Sequence, residues 1–192
     1  MKNMIWLLAV AGLCGCIGGS GKPPQKLWTI QIADKQEHAV AAQRTARVGA
    51  VSVAAPFDNV PITVLRADGT VARDPVNQFA ASPAALLKAA LADAVAEDGR
   101  FGNVLPVASN AAADISIEAV FTQVALDCTV ASSRFAVVKV DIAAVDTAKP
   151  SRKLIATACG ESRVDASSGN FSLAFSSAAA KAIRQALAKL QL

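Results

Sequence analysis

The residues most capable of specific chemistry are four cysteines, at positions 14, 16, 128 and 159. Cys14 and Cys16 are separated by one residue and directly follow an apolar run, Met4–Leu13. A redox pair would require a Cys-x-x-Cys spacing close to a strand–helix junction. The Cys-x-Cys spacing after an apolar run therefore favours a processing site over a redox or metal site.

The apolar run has the character of a secretory signal peptide. Lys2 precedes it, and about ten apolar residues fit the hydrophobic part of such a signal, whereas a membrane-spanning helix needs roughly 20. Leu13-Cys14-Gly15-Cys16 resembles a bacterial lipobox, in which the last cysteine is acylated. We therefore expect a signal peptide over residues 1–15, cleavage before Cys16 and lipidation, including palmitate, of Cys16. An ordinary secretory signal without lipidation is the alternative.

The sequence after Cys16 predicts a tether followed by a single folded domain. Residues 16–25 contain Gly-Gly-Ser-Gly and two prolines, a composition typical of a flexible tether. Residues 26–192 are long enough for one domain with a substantial core. An aspartate at position 17 would resemble an inner-membrane retention signal. The residue here is Ile17, which favours the periplasmic face of the outer membrane.

The composition favours tight packing of small side chains and argues against a nucleic-acid partner. The chain is 53% hydrophobic but only 5% aromatic, with no tyrosine. Removing Lys2 with the signal peptide leaves 18 basic and 15 acidic residues, a net charge of +3. The basic residues are scattered, so no run of them indicates a nucleic-acid surface.

Periodicity predicts an α+β fold, a mostly antiparallel sheet with two helices packed on one face. Ser82-Pro83 marks the start of a first helix and Gly99 its end, while residues 172–190 form a second amphipathic helix. The predicted strands cover residues 26–32, 48–53, 62–66, 70–73, 103–107, 114–126, 134–145 and 153–164. Three long strands in succession indicate an antiparallel meander.

Two features of the predicted domain could serve a function. One is a partner-binding surface formed by Phe57, Asp58 and Val60 together with an Asp68-Gly69 hairpin turn; in the alternative, Phe57 simply covers the core. The other is a disulfide between Cys128 and Cys159, which an oxidising compartment would permit; the alternative is two small, unpaired side chains.

Catalytic equipment is not recognisable in the sequence. The single histidine, His38, lies in a polar stretch typical of a solvated loop. No nucleophile elbow, zinc-binding motif or phosphate-binding glycine loop occurs, and potential metal ligands do not cluster. We therefore expect a binding protein rather than an enzyme, with no metal and no cofactor apart from the acyl chains on Cys16.

The order of motifs resembles the ABC-type transport auxiliary lipoprotein family, of the PqiC kind. The resemblance rests on the lipobox, a first strand KLWTIQI, the stretch VGAVSVAAPFDNVPITVLRADG, Phe79 before the first helix, and the helix SPAALLKAALADAV. It implies an outer-membrane-anchored periplasmic protein that partners an MCE-domain protein and an inner-membrane ABC transporter. The resemblance implies a docking role in lipid transport and allows for a homo-oligomeric ring. The alternative is an outer-membrane assembly or secretion-ring lipoprotein, of the polysaccharide-export, protein-export or lipopolysaccharide-assembly type.

Overall fold

The computed structural model describes residues 24–32, 44–148 and 152–192. Cys14, Cys16, the expected signal peptide, most of the tether and His38 lie outside the described residues. The described strands are β1 Lys26–Trp28, β2 Thr45–Val53, β3 Pro61–Arg66, β4 Val71–Phe79, β5 Asn103–Leu105, β6 Ile115–Cys128, β7 Phe135–Asp146 and β8 Lys153–Asp165. The helices are α1 Pro83–Glu97 and α2 Phe171–Lys189.

The expectation of a mostly antiparallel sheet is wrong, because the sheet is mixed. Four of the seven pairings between described strands are parallel: β1 with β4, β2 with β5, β2 with β6, and β3 with β6. The reason lies in β6. β2 runs along its first half and β3 along its second half, both parallel to it on the same edge. Short loops predict antiparallel neighbours, but here β2 and β3 are successive strands along one longer strand.

The predicted meander of three long strands is confirmed on the other edge of β6. β6 pairs antiparallel with β7, and β7 pairs antiparallel with β8. The observed boundaries differ from the predicted ones by no more than two residues. Alternation of buried and exposed positions along each strand made this prediction possible, since one face of the meander is buried in the core, where α2 packs on β7 and β8.

Both helices lie against the same face of the sheet. α1 packs on β2 and β5, α2 packs on β7 and β8, and the two helices contact each other. The side chain of Ser82 accepts a hydrogen bond from the backbone N–H of Ala85 and caps α1, as Ser-Pro predicts. Gly99 adopts a positive φ of 72° just beyond the helix, a conformation that glycine takes without steric cost.

Small side chains let α2 approach the sheet closely. The face of α2 towards the sheet includes buried Ala178, Ala179, Ala182 and Ala186. On β8, Gly160 is buried directly beneath the helix, and a Cβ atom built there would lie 1.9 Å from the carbonyl oxygen of Ala182. The alanine-rich composition therefore appears in the structure as a close helix–sheet contact.

The first strand is shorter than predicted. β1 ends at Trp28, and the following residues turn towards α2 instead of continuing in the sheet. The Ser172 hydroxyl donates to the Thr29 carbonyl at 2.7 Å, and the Gln31 N–H donates to Ser176 Oγ at 3.0 Å. Ile30 is buried in the core. Alternation alone could not predict this change, because side chains of α2 take over the hydrogen bonds of a sheet partner.

Candidate functional site

The Asp68-Gly69 hairpin predicted from the sequence is present between β3 and β4. Gly69 has a φ of +79°, and its N–H donates to the Arg66 carbonyl at 3.0 Å. One carboxylate oxygen of Asp68 accepts from both the N–H and the hydroxyl of Thr70, at 2.9 and 2.6 Å. These bonds hold the pKa of Asp68 below its ordinary value, the hydroxyl bond being the largest cause. The tip of the hairpin is therefore ordered although it is fully exposed.

The other predicted half of the partner surface, the loop 54–60, is folded onto the domain. Phe57 is half-buried and packs against the core, which is the alternative role considered for it. The carbonyl of Pro56 accepts hydrogen bonds from the Asn59 side chain at 2.7 Å and from the Thr63 hydroxyl at 3.2 Å. Asp58 is exposed, and Val60 is 38% exposed, so these two side chains remain available to a partner.

The structure does not bring the two predicted halves together. The loop 54–60 precedes β3 and the hairpin follows it, so the six residues of β3 lie between them. At about 3.3 Å per residue, the two halves are roughly 20 Å apart. A single small partner element cannot contact both, and each half is a separate candidate surface.

Two further turns lie at the same end of the sheet as the hairpin. We call this end, formed by residues 67–70, 129–134 and 166–169, the turn end. Arg66 of β3 is in register with Cys128 of β6, and Asp127 of β6 and Asp165 of β8 both lie opposite Phe135 of β7. The carboxyl ends of β3, β6 and β8 therefore lie at the same end of the sheet. Sequence reasoning recognised only the hairpin.

The three turns share one local motif, an aspartate followed two residues later by threonine or serine. Asp127 accepts from the N–H and hydroxyl of Thr129 at 2.9 and 2.6 Å, and Asp165 accepts from Ser167 at 3.1 and 2.6 Å. At Asp165, as at Asp68, the hydroxyl bond is the main cause of a lowered pKa. At Asp127 burial opposes ionisation, but the Thr129 bonds outweigh it and the pKa is again lowered. The recurring Asp-x-Thr/Ser spacing could have identified this end from the sequence.

A pocket of about 520 Å³ opens at the turn end. Cys128, residues 130–134 and Ser167 line it. Three of these residues are serines and one is Arg134, so the lining is polar and unsuited to an acyl chain. Ser132 in this turn has a positive φ of 63°, which is uncommon for a residue other than glycine.

On the sheet face away from the helices, β6, β7 and β8 carry a set of ion pairs. Lys139 and Glu161 are 3.0 Å apart, and Arg163 lies 3.2 Å from Asp127. The Arg163 guanidinium also stacks over the Phe135 ring, 4.0 Å from its centroid. Exposed pairs of this kind add little stability individually, but they shield the sheet face with charged side chains.

The structure does not form the predicted disulfide, and both Cys128 and Cys159 are free thiols. Cys128 ends β6 and is half-buried against the core, whereas Cys159 lies in the middle of β8, opposite Asp141, and is exposed. The six residues from Cys159 to Asp165, which lies at the Cys128 end, correspond to roughly 20 Å. A disulfide needs Cα atoms within about 7 Å, so this register keeps the thiols apart.

The described residues show neither a metal-binding cluster nor a membrane-spanning helix. No group of three or more histidine, cysteine or carboxylate side chains among these residues is placed to hold a metal ion. None of the helices in the same residues has the length and hydrophobicity needed to cross a membrane.

Comparison with known proteins identifies the fold. No family model and no curated protein matches the sequence. The chain has the fold of protein XCC0632 from Xanthomonas campestris, which is described by the family model DUF330. The two share 15% identity and a TM-score of 0.61, over 83% of this chain and 88% of that one.

Two other solved structures are similar to a lesser degree. An uncharacterized protein has 11% identity and a TM-score of 0.57, over 74% of this chain and 81% of that one. The PelC dodecamer from Paraburkholderia phytofirmans has 14% identity, over 83% of this chain and 96% of that one, but its TM-score is only 0.47. At these identities the likeness concerns the fold alone, and the PelC similarity is too low to support an argument.

Proposed function

We propose that the chain is a lipid-anchored accessory protein on the periplasmic face of the outer membrane, which acts by docking other proteins and not by catalysis. The observation that carries the proposal is the fold shared with the DUF330 protein over most of both chains. The lipobox-like sequence that ends at Cys16 supports the anchor. Two or more acyl chains are needed for stable membrane attachment, and lipoprotein acylation supplies more than one. The two exposed candidate surfaces, loop 54–60 and the Asp68-Gly69 hairpin, support a docking role.

Two kinds of assembly are candidates for the partners of this protein. The sequence resemblance to auxiliary lipoproteins points to an MCE-domain protein and an inner-membrane ABC transporter, with lipid as the cargo. The second candidate is a subunit of an outer-membrane assembly or secretion ring. A homo-oligomeric ring is compatible with either candidate.

Site-specific photo-crosslinking in the native host tests the proposal and separates the two candidates. A crosslinking residue is placed at Asp58, at Asp68, or at Lys181 on the exposed side of α2 as a control. Crosslinks from position 58 or 68 to an MCE-domain protein would support lipid transport, and crosslinks to export components would support the secretion ring. Equal crosslinking from position 181, or none from positions 58 and 68, would contradict docking through these surfaces.

The anchor is tested separately by Cys16→Ser. We expect the unchanged protein to fractionate with the outer membrane and the variant to be released into the soluble periplasmic fraction. Intact-mass analysis should show acyl chains only on the unchanged protein. An unmodified Cys16 in the native host would refute the anchor, but not the fold.

A further inference from the structure

The pocket at the turn end contains a guanidinium group that no carboxylate neutralises by contact. Among the described residues, the Arg134 side chain makes no hydrogen bond and no ion pair. Four other arginines each pair with a carboxylate, namely Arg100, Arg152, Arg163 and Arg184. The five N–H donors of Arg134 are therefore available to a ligand in the pocket.

The carboxylates nearest to the pocket are already occupied by other donors. Asp74 accepts from the N–H groups of Val76 and Asn77 and from the Asn77 side chain, at 2.8 to 2.9 Å. Asp127 accepts from Thr129 and faces Arg163. Both acids influence the pocket electrostatically, but their oxygens are held by these partners instead of by Arg134.

One hydroxyl in the lining is also open to an oxyanion. The Ser133 hydroxyl lines the pocket and donates to no other described group, whereas Ser132 donates to the Ala131 carbonyl and Ser167 donates to Asp165, both at 2.6 Å. Arg66 adds a second positive charge on the same sheet face, since it is in register with Cys128. A planar guanidinium matches two oxygens of a phosphate, and the Ser133 hydroxyl can donate to a third. A volume of about 520 Å³ is in the range of small-molecule sites, larger than a bare phosphate requires.

We propose that this pocket binds a phosphate ester, with Arg134 as the charged donor and the Ser133 hydroxyl as a neutral donor. The ester could belong to a soluble metabolite or to a phospholipid headgroup at the membrane surface. The pocket is separate from both candidate docking surfaces in its lining residues, so the proposal stands independently of the docking function.

The two free cysteines allow a direct test, because Cys128 lines the pocket and Cys159 lies on the opposite sheet face as an internal control. The mature full-length protein, in a phosphate-free detergent, is alkylated in the presence of glycerol 3-phosphate, and peptide mass spectrometry follows both thiols. A second set uses vesicles of phosphatidylglycerol and phosphatidylethanolamine against vesicles of a phosphate-free glycolipid. We expect a phosphate ester to slow the alkylation of Cys128 and to leave Cys159 unchanged.

Two variants connect the effect to the site. Arg134→Gln should weaken the protection roughly tenfold or more, the factor expected for a lost charged hydrogen bond. Arg73→Gln, an exposed arginine of β4 outside the pocket lining, should not. Ala131→Trp keeps the charge and fills the pocket, so it should also abolish protection if circular dichroism shows native folding.

The outcomes discriminate between the sources of the ester. Protection by glycerol 3-phosphate supports a soluble ligand, and protection by phospholipid vesicles alone supports a headgroup. Absence of protection in both sets, equal slowing at Cys159, or equal losses in Arg134→Gln and Arg73→Gln would overturn the proposal.

Discussion

Gly160 lies where α2 crosses β8, and replacing it with alanine should force the two elements apart. The added Cβ would lie 1.9 Å from the Ala182 carbonyl oxygen, 2.9 Å from its carbonyl carbon and 3.0 Å from the Ala186 nitrogen. All three atoms belong to the helix backbone, so no side-chain rotation relieves the contact. Since ordinary contact begins at 3.4 Å, the helix must retreat by about 1.5 Å.

The cost follows from the contacts that such a retreat loses. A gap of 0.5–1 Å already removes about a quarter to a half of the dispersion energy of the atoms facing it. Overpacked sites typically cost about 1–3 kcal/mol, and a backbone clash belongs at the upper end. We therefore expect Gly160→Ala to lower the free energy of unfolding by about 3 kcal/mol, which corresponds to a loss of roughly 6–12 °C in Tm for a domain of this size.

Urea denaturation followed by circular dichroism measures this change, with Gly49→Ala as the matched control. A Cβ at Gly49 would lie 2.3 Å from Ser116 Oγ and 3.1 and 3.3 Å from Glu118 Cγ and Oε1, and these are side-chain atoms, whereas those at Gly160 belong to the helix backbone. The control should therefore lose clearly less stability than Gly160→Ala. A loss below about 0.5 kcal/mol for Gly160→Ala, the range of ordinary surface substitutions, would refute the position of α2 on β8.

Three further predictions follow from the described contacts. Arg100→Ala should cost about 2 kcal/mol in urea denaturation, because the guanidinium donates to the carbonyls of Leu190 and Leu187 at the end of α2, at 2.6 and 2.7 Å. The Leu187 carbonyl keeps the Leu190 N–H as a donor, but the Leu190 carbonyl would have no other donor among the described residues. Arg100→Lys should recover part of the loss, and a neutral effect would contradict the contact. Folding lowers the pKa of Asp74 and Asp127, because hydrogen bonds outweigh desolvation. The stability that these two groups provide is therefore complete above their ordinary pKa of 3.8 and is lost as the pH falls towards the folded values, so urea midpoints should decline below about pH 4, and Asp127→Asn should reduce that decline. Alkylation in the native state should modify Cys159 faster than Cys128, since Cys159 is exposed while burial raises the pKa of the Cys128 thiol; two unreactive cysteines would instead indicate a disulfide.

The helices and the long strands could be predicted because their information is local. The Ser-Pro start of α1, the apolar stripe of α2 and the alternation in β6, β7 and β8 are each contained in a short stretch. Contacts between elements far apart in the chain could not be predicted. The side chain of Glu97 at the end of α1, for example, is only 10% exposed and pairs with Arg184 of α2 at 2.8 Å. The sequence of α1 does not contain this information, because it is the second helix that covers the position.

The candidate site was predicted only in its separate parts. The Asp-Gly pair predicted the hairpin, since glycine permits the positive φ of the turn. The sequence could not reveal that the loop around Phe57 lies at the far end of β3, nor that Arg134 shares a pocket with Ser167. Such juxtapositions depend on the register between strands that are far apart in the chain.

The position of β6 in the sheet also determines when this domain can be completed during synthesis. β2 and β3 both require β6 as their neighbour, yet β6 begins only at residue 115. The first hundred residues can form the β3–β4 hairpin and α1, but they have no central strand on which to assemble. The amino-terminal strands therefore cannot complete their pairing until the middle of the chain has been synthesised. Until then, apolar residues such as Val48 and Ile62, which are buried in the folded domain, lack their core neighbours. Segments of this kind are vulnerable to aggregation, so protection of the nascent amino-terminal half matters more here than the stability of the finished fold suggests.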